Sequence, residues 1–535
     1  MGSAAILALA AVAGLCTLVV ELAAVRLMAP WFGASTGVWT NVIGVILLAL
    51  AVGYLAGARL ATLRRPLLAL GLVLCAAAAF TAWLPALAAP VCGAFLPAGL
   101  ALHEAAGVWL WGSLAATLCL FFLPAALLGC VGPLCVELVA VRQGSHAGAA
   151  GGQVLCASTL GSLVGTFATT HWLIPDFGLR WSFALAAGAL AVLALAALRS
   201  ARHGAKTGRG SRVWAVALFA LGALGVALGR LRPPAVAEGQ TLLAARESAY
   251  QSLRVVEDPR WGPMRLLQVN EGLDSFQSVW IPRKGLLGQG FYYDLFALPA
   301  WWSHARGTWR VAVLGLGAGT TFRVLEGASP GELELELWGV EIDLEAVELG
   351  REHFELETAR EGVHVQAGVD ARVALRRLPH PMDLIVLDAY AHQVEIPAHL
   401  STLEFFEELA ERLAPGGWLA INVGGFGLDD PVAVAIAQTV IRAFQGDVLV
   451  LRVPRARNLV LFARKGAELP VPGDSSWTFQ GPVGEALLPL LELPGAWSLW
   501  RYDETATPLT DDKNPMERLQ QRSLEEGRER LAAGA

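Results

Sequence analysis

The sequence predicts two units of different class. Residues 1–230 read as a multi-pass α-helical membrane domain. Residues 291–465 read as an α/β Rossmann-like domain, preceded by a small β subdomain at 240–290 and followed by a C-terminal extension, 466–535. Three observations carry this. Ten of the 86 charged side chains lie in residues 1–198 and the other 76 in the remaining 337 positions, whereas a soluble domain carries about 25% charge throughout. Charge-free stretches long enough to cross a bilayer recur through the first part. From residue 310, short apolar strands alternate with helical patterns, as in a parallel doubly wound sheet.

The charge-free stretches are 27–58, 66–102, 105–136, 143–175, 181–198 and 213–229, and residues 3–25 hold one charge, Glu21. Together they predict about seven spans, near 4–28, 36–58, 67–92, 107–139, 150–174, 181–199 and 213–230. Prolines 85, 90, 124 and 133 interrupt two of them. Basic residues cluster at Arg59/Arg64/Arg65, at Arg142 and at Arg199/Arg202/Lys206/Arg209/Arg212, which assigns those loops to the cytoplasm. Seven spans then set the C-terminal half outside, whereas the chemistry inferred below belongs inside. We take the chain as a multi-pass protein of the inner (plasma) membrane with its catalytic domain in the cytoplasm. Glu21 and Glu137 inside spans are either substrate or proton sites or structural pairs. Gly161 and Gly165, among small residues, predict close helix packing.

All seven cysteines lie between Cys16 and Cys156, so the soluble half has neither disulfides nor a thiolate metal site, and no metal is expected. A net charge of −6 spread over 535 residues does not point to nucleic acid through its phosphates, and no nucleic acid is expected as a partner.

In the soluble half, residues 252–257 and 264–269 read as a hairpin, with 276–281 as a third strand. A helix near 291–305 follows. Then come strand 310–314, helix 320–327, strand 335–341, helix 344–354, strand 363–366, helix 370–377, strand 383–388, helix 401–412, strand 417–423, helix 430–444, and strands near 447–453 and 458–463. Ligands of such sheets bind beyond the carboxyl ends of the strands.

Four strand ends carry candidate chemistry. The first runs into Gly315-Leu316-Gly317-Ala318-Gly319-Thr320, where glycines let a ligand approach the backbone. A dinucleotide fingerprint needs glycine at position 320, so NAD is disfavoured and a sulfonium nucleoside favoured. The second ends at Glu341, placed to take two ribose hydroxyls, with Asp343 as the cap of the next helix. The third ends Gly368-Val369-Asp370, whose carboxylate suits an adenine amino group. The fourth ends Asp388-Ala389-Tyr390, where a reacting centre would lie.

Over residues 247–424 the sequence resembles the spermidine synthase (polyamine aminopropyltransferase) family, in its membrane-fused bacterial branch. The segments Glu21–Gly33 and Leu509–Pro515 also resemble that branch. The resemblance implies a spermidine synthase-type fold, shared with class I methyltransferases. Residue by residue it implies that Gln251 contacts substrate, that Gly315, Gly317 and Gly319 cradle the donor, that Glu341 binds its ribose and Asp370 its adenine, and that Asp388 is the catalytic base. Tyr293 and Asp294 stand at substrate-contact positions, with Tyr390 as a further partner for a cation. Two departures stand out: where the family has two further aspartates, this chain has Ala318 and Ala391, which removes negative charge from the amine pocket.

The implied activity is transfer of an aminopropyl group from decarboxylated S-adenosylmethionine to an amine, with the donor as co-substrate and no permanently bound cofactor. Expected partners are the amine, the sulfonium nucleoside, the lipid bilayer and a second copy of the chain, since dimers are common in that family. An S-adenosylmethionine-dependent methyltransferase and a transporter or sensor with a non-catalytic nucleoside domain remain as alternatives.

Overall fold

Long apolar runs without a helix-breaking charge fold, in the first part of the chain, into helices that bury small residues against one another. The computed structural model describes residues 1–32, 36–95, 102–202, 209–229, 236–248, 250–260, 262–269, 276–288, 291–390, 396–453, 456–471, 477 and 479–534. It divides into two units, Met1–Ala235 and Val236–Ala535. The first holds helices α1 (Ser3–Phe32), α2 (Thr36–Ala61), α3 (Pro66–Phe95), α4 (Leu102–Gly129), α5 (Val131–Gln143), α6 (Ala147–Ala168), α7 (Gly178–Arg202) and α8 (Arg209–Leu228), with a π-helical turn at Thr169–Phe177 between α6 and α7.

Among the described residues, six helical stretches are long and apolar enough to cross a membrane: Ser3–Phe32, Gly37–Ala61, Pro66–Phe95, Trp111–Gln143, Ala147–Ile174 and Gly178–Ala201. The seventh expected span is shorter. Arg209 and Arg212 open α8, which leaves Val213–Leu228 as its apolar part. Leu47, Leu55, Leu155, Leu160, Val192 and Trp214 point outward, the surface that lipid requires of a spanning bundle.

Glycine sets how close the helices come. A Cβ on Gly161 of α6 would stand 1.8 Å from the carbonyl oxygen of Ala11 on α1, and one on Gly14 would stand 2.3 Å from the carbonyl oxygen of Ser158. The expected small-residue face of α6 is therefore a backbone-to-backbone contact with α1, and Ser162 Oγ donates across it to the Gly14 carbonyl at 3.2 Å. Gly161→Leu is expected to force these helices apart and lower stability by at least about 1–3 kcal/mol. An unchanged melting curve of the detergent-solubilised protein would contradict this packing.

Helix α8 runs beside α3 in the same direction. Cys75 Sγ meets the Ala215 carbonyl at 3.7 Å, and eight residues further along α3, Trp83 Nε1 donates to the Leu221 carbonyl at 2.9 Å. Both helices follow a basic loop, so both begin at the same end of the bundle.

Among its described residues the second unit has two sheets. The smaller is antiparallel, in the order β1 (Thr241–Glu247), β2 (Ser252–Glu257), β3 (Arg265–Val269), β4 (Ser278–Trp280). Its β2–β3 hairpin and third strand match the expectation. β1 was not expected: it is a largely exposed edge strand without apolar alternation.

A 3₁₀ turn (Tyr292–Ala297) and helix α9 (Leu298–Trp302) lead into the larger sheet. Its strands are β5 (Gly307–Leu314), β6 (Leu333–Glu341), β7 (Val363–Ala367), β8 (Met382–Leu387), β9 (Leu413–Gly424), β10 (Val448–Arg452), β11 (Asn458–Arg464) and β12 (Trp497–Trp500). They are ordered β12-β10-β11-β9-β8-β5-β6-β7. β5 to β9 pair in parallel, whereas β10, β11 and β12 pair antiparallel. The sheet is thus mixed, and the segment expected as a C-terminal extension supplies its edge strand, β12. Between and after the strands lie α10 (Thr320–Ala328), α11 (Leu344–His353), α12 (Ala371–Leu375), α13 (Leu403–Arg412), α14 (Pro431–Phe444), α15 (Pro482–Leu491) and α16 (Met516–Gly534).

Alternate residues of β5 feed opposite cores, Val311 and Val313 into one and Ala312 and Leu314 into the other. Both faces of the sheet are covered, which is why its strands read as unbroken apolar runs. From β5 the chain builds outward through β6 and β7, then returns to place β8 and β9 on the other side of β5. The crevice between the ends of β5 and β8 is the switch point at which ligands bind in such sheets.

Candidate active site

The parallel ladder carries the end of β8 directly beside the glycine loop: the Asp388 amide donates to the Leu314 carbonyl at 2.9 Å. Gly315 has φ +92°, and a Cβ there would stand 2.4 Å from the Asp388 carbonyl oxygen. Only glycine fits both the backbone angle and that approach. Gly317 and Gly319 are also left-handed, at φ +55° and +94°, and Gly319 is the cap from which α10 starts. Strand β4 is stitched to the loop, because the Ala318 amide donates to Ser278 Oγ at 2.8 Å and Thr320 Oγ1 bonds both the amide and the carbonyl of Val279.

Ala318 is fully buried in an apolar cluster with Leu253, Val255, Trp280, Leu349 and Phe354. The Ala318 methyl, where the resemblance implies an aspartate, therefore packs among apolar side chains. Ala391, the other departure, lies outside the described residues.

Glu341, at the end of β6, accepts from the Gly317 amide at 2.8 Å and from the Asp343 amide at 3.0 Å. Burial pushes its carboxyl up to about 6, and the charge of Asp343 adds to this. Asp343 caps α11 and accepts from Ser248 Oγ at 2.6 Å. Gln251 is buried against the same carboxylate. Asp370 caps α12 with one oxygen and meets His399 Nε2 at 2.8 Å with the other.

Asp388 is the hub. Tyr292 Oη donates to its two oxygens at 3.1 and 3.3 Å, and Asn422 Nδ2, from β9, donates to Oδ1 at 2.8 Å. Tyr390 Oη donates to the Asn422 carbonyl at 3.0 Å and accepts from the Gly424 amide at 2.8 Å, so its ring is a fixed wall. Burial pushes the Asp388 carboxyl up to about 7 and the charge of Glu341 adds to it, against the bonds from Asn422 and Tyr292. Burial, with the charge of Asp388, also raises the Tyr292 phenol, which stays protonated and a donor.

Tyr293 and Asp294 hold other partners. Tyr293 Oη donates to the Gln277 carbonyl at 2.9 Å, and its ring stacks on Tyr292 with centroids 4.0 Å apart. Asp294 accepts from the Leu287 and Gly288 amides, both at 2.7 Å, and burial pushes it up to about 6. The structure thus gathers the glycine loop, Glu341, Asp388 and Tyr390, and gives Tyr293 and Asp294 to the surrounding backbone.

Sequence reasoning did not find Tyr292, Asn422 or Gln277. Asn422 carried a signal, a polar residue inside the apolar run Ala420-Ile421-Asn422-Val423 of a covered strand. Gln277, whose carbonyl lies 3.3 Å from the place a Gly317 Cβ would take, has a buried Nε2 without a partner among the described residues.

No family model matches the chain. Among curated proteins it is 32% identical over 304 residues to a probable polyamine aminopropyl transferase of Bifidobacterium longum, covering 52% of this chain and 62% of that one. It is also 32% identical over 164 residues to polyamine aminopropyltransferase 2 of Pseudomonas aeruginosa, covering 29% of this chain and 45% of that one. The chain spans less than two thirds of the length of either relative. A solved structure of a probable spermidine synthase from Corynebacterium glutamicum aligns with a TM-score of 0.39 at 20% identity, over 50% of this chain and 96% of that one.

Proposed function

We propose that the chain is a membrane-anchored aminopropyltransferase. It moves the aminopropyl group of decarboxylated S-adenosylmethionine to an amine, and binds no permanent cofactor. One observation carries the reading: two carboxyls flank the glycine loop, Glu341 bonded to the Gly317 amide and Asp388 beside Gly315, both held above the ordinary carboxylate range by burial. A pocket of this kind is stabilised by a cation, and both a sulfonium and an ammonium are cations. The names of the curated relatives point the same way.

In the proposed reaction the amine lone pair attacks the propyl carbon attached to the sulfonium. The carbon–nitrogen bond forms as the carbon–sulfur bond breaks, and its electron pair leaves with sulfur as the neutral thioether methylthioadenosine. The new ammonium passes a proton to Asp388. Tyr292 and Asn422 hold the carboxylate ready, and the fixed Tyr390 ring offers a cation–π face to the substrate. Proximity of the two reactants supplies much of the remaining acceleration. The glycine loop cradles the donor, Glu341 takes its ribose and Asp370 its adenine.

Glu341→Gln is expected to weaken methylthioadenosine binding by roughly 1.5–3 kcal/mol, the worth of hydrogen bonds to a charged group. Calorimetry on the purified protein measures it, and equal affinity in the variant would make Glu341 a holder of the glycine loop alone.

Donor and amine are cytoplasmic metabolites, so this reading puts the α/β unit on that side of the inner membrane. The direction of α8 opposes it, since α8 starts at the end of the bundle that carries the basic loops. A topology reporter fused after residue 240 decides: a cytoplasmic reporter is expected, and an exported one would remove the aminopropyl reading.

A further inference from the structure

Asn422 bridges two residues that are far apart in the chain. Its strand, β9, pairs on one side with β8, which ends one residue before Asp388, and on the other with β11, which begins at Asn458. Asn458 lies opposite Gly424. Asn422, two residues back, is therefore its diagonal neighbour on the same face, within reach of a side-chain bond. Asn458 Nδ2 donates to Asn422 Oδ1 at 2.8 Å, and Asn422 Nδ2 donates to Asp388 Oδ1 at 2.8 Å. Asn422 is only 4% exposed, so its amide has little access to water.

A side-chain amide has a donor end and an acceptor end of nearly the same shape. Left to itself, the Asn422 amide fits its slot either way round. One way presents NH₂ to Asp388, and the other presents a carbonyl oxygen.

We infer that Asn458 is a positioning residue for Asp388: by donating to Asn422 Oδ1 it fixes which way round that amide lies, and so keeps a donor against the carboxylate. The inference rests on the aminopropyl-transfer reading only in naming Asp388 a base. The two-amide relay stands on its own geometry.

The other groups around Asp388 do not do this. Tyr292 donates from the 3₁₀ turn, Tyr293 stacks behind it, Tyr390 is fixed to β9, and Glu341 faces Asp388 as a like charge. None of them touches the Asn422 amide oxygen, which is bonded to Asn458.

Replacing Asn458 by aspartate turns a donor into an acceptor. The Asn422 NH₂ is then drawn to position 458 and its carbonyl oxygen turns toward Asp388, which favours the protonated carboxyl. The test is the pH midpoint of Asp388 protonation, followed by infrared difference spectra of the full chain with Asp388→Asn as the reference that lacks the band. In Asn458→Asp the midpoint is expected to rise by about one pH unit, a tenfold gain in proton affinity, and in Asn458→Ala by less. In an Asn422→Ala background the added effect of Asn458→Asp is expected to vanish, because the relay is already broken.

An unchanged midpoint in folded Asn458→Asp overturns the inference. So does an equal rise in the Asn422→Ala background, which would mean direct charge repulsion. Should Asn458→Asp not fold, an unchanged midpoint in Asn458→Ala overturns it instead. A relay that behaves as expected in a protein with no aminopropyl transfer would sink the functional reading and leave this inference intact.

Discussion

Asp388→Asn is expected to lower turnover roughly 10²–10⁴-fold, the worth of a positioned general base, while leaving nucleoside affinity nearly unchanged. Asparagine keeps the size of the side chain and an oxygen to accept from Tyr292 and Asn422, but it cannot take a proton. In the proposed reading the donor is held elsewhere, by the glycine loop and by Glu341. A purely structural role for Asp388 makes the opposite forecast, a lower melting temperature with turnover per folded molecule preserved. The pH dependence separates the two. Because burial pushes the Asp388 carboxyl up to about 7, kcat/KM of the wild type should climb with pH to about that value and level off above it.

Stability should run the other way. Between the ordinary carboxylate value of about 4 and about 7, the folded state holds a proton at Asp388 that the unfolded chain has released. This group's contribution to stability therefore falls as pH rises through that window. Asp388→Asn removes the charged form, so its melting temperature relative to wild type should be higher at pH 8 than at pH 4. A difference independent of pH would mean that Asp388 is not held in an environment that resists its charge.

Gly315→Ala is expected to cost about 10²-fold in turnover, the scale of a 1 Å misplacement at a reacting centre. Its Cβ would stand 2.4 Å from the Asp388 carbonyl oxygen and 2.7 Å from the Ala389 Cα, on a backbone at φ +92°. Both obstacles are main chain, so no side-chain rotation relieves them. The strand end that carries Asp388 must shift, and donor affinity should fall with it. Gly331→Ala is the control, because a Cβ there meets nothing within 4 Å. Equal kcat/KM in Gly315→Ala and Gly331→Ala would show that the base does not depend on this close approach.

The parts of the site readable in the sequence were those that a strand end dictates. Gly315, Glu341, Asp370 and Asp388 each follow an apolar strand, and the doubly wound order brings such positions to one edge of the sheet. Tyr292 was not readable, because a 3₁₀ turn rotates successive side chains by about 120°. Nothing in Tyr292-Tyr293 says which hydroxyl meets the carboxylate. Asn458 was not readable either, since its role depends on an antiparallel pairing with β9 that local pattern does not specify. Ala318 read as a gap in a charged pocket, yet it packs among Leu253, Val255, Trp280, Leu349 and Phe354. The same distinction holds for the fold. The covered parallel strands have an unbroken apolar signature, while β1 and β12 are partly exposed edges whose existence depends on their neighbours.

The most direct test of the account is to incubate the purified full-length protein with decarboxylated S-adenosylmethionine and a panel of amines, and to follow methylthioadenosine and the aminopropylated amine together. The account predicts that the two products form in equal amounts and that both are lost in Asp388→Asn. Inertness toward the decarboxylated donor, with a methylated product from intact S-adenosylmethionine, would contradict it.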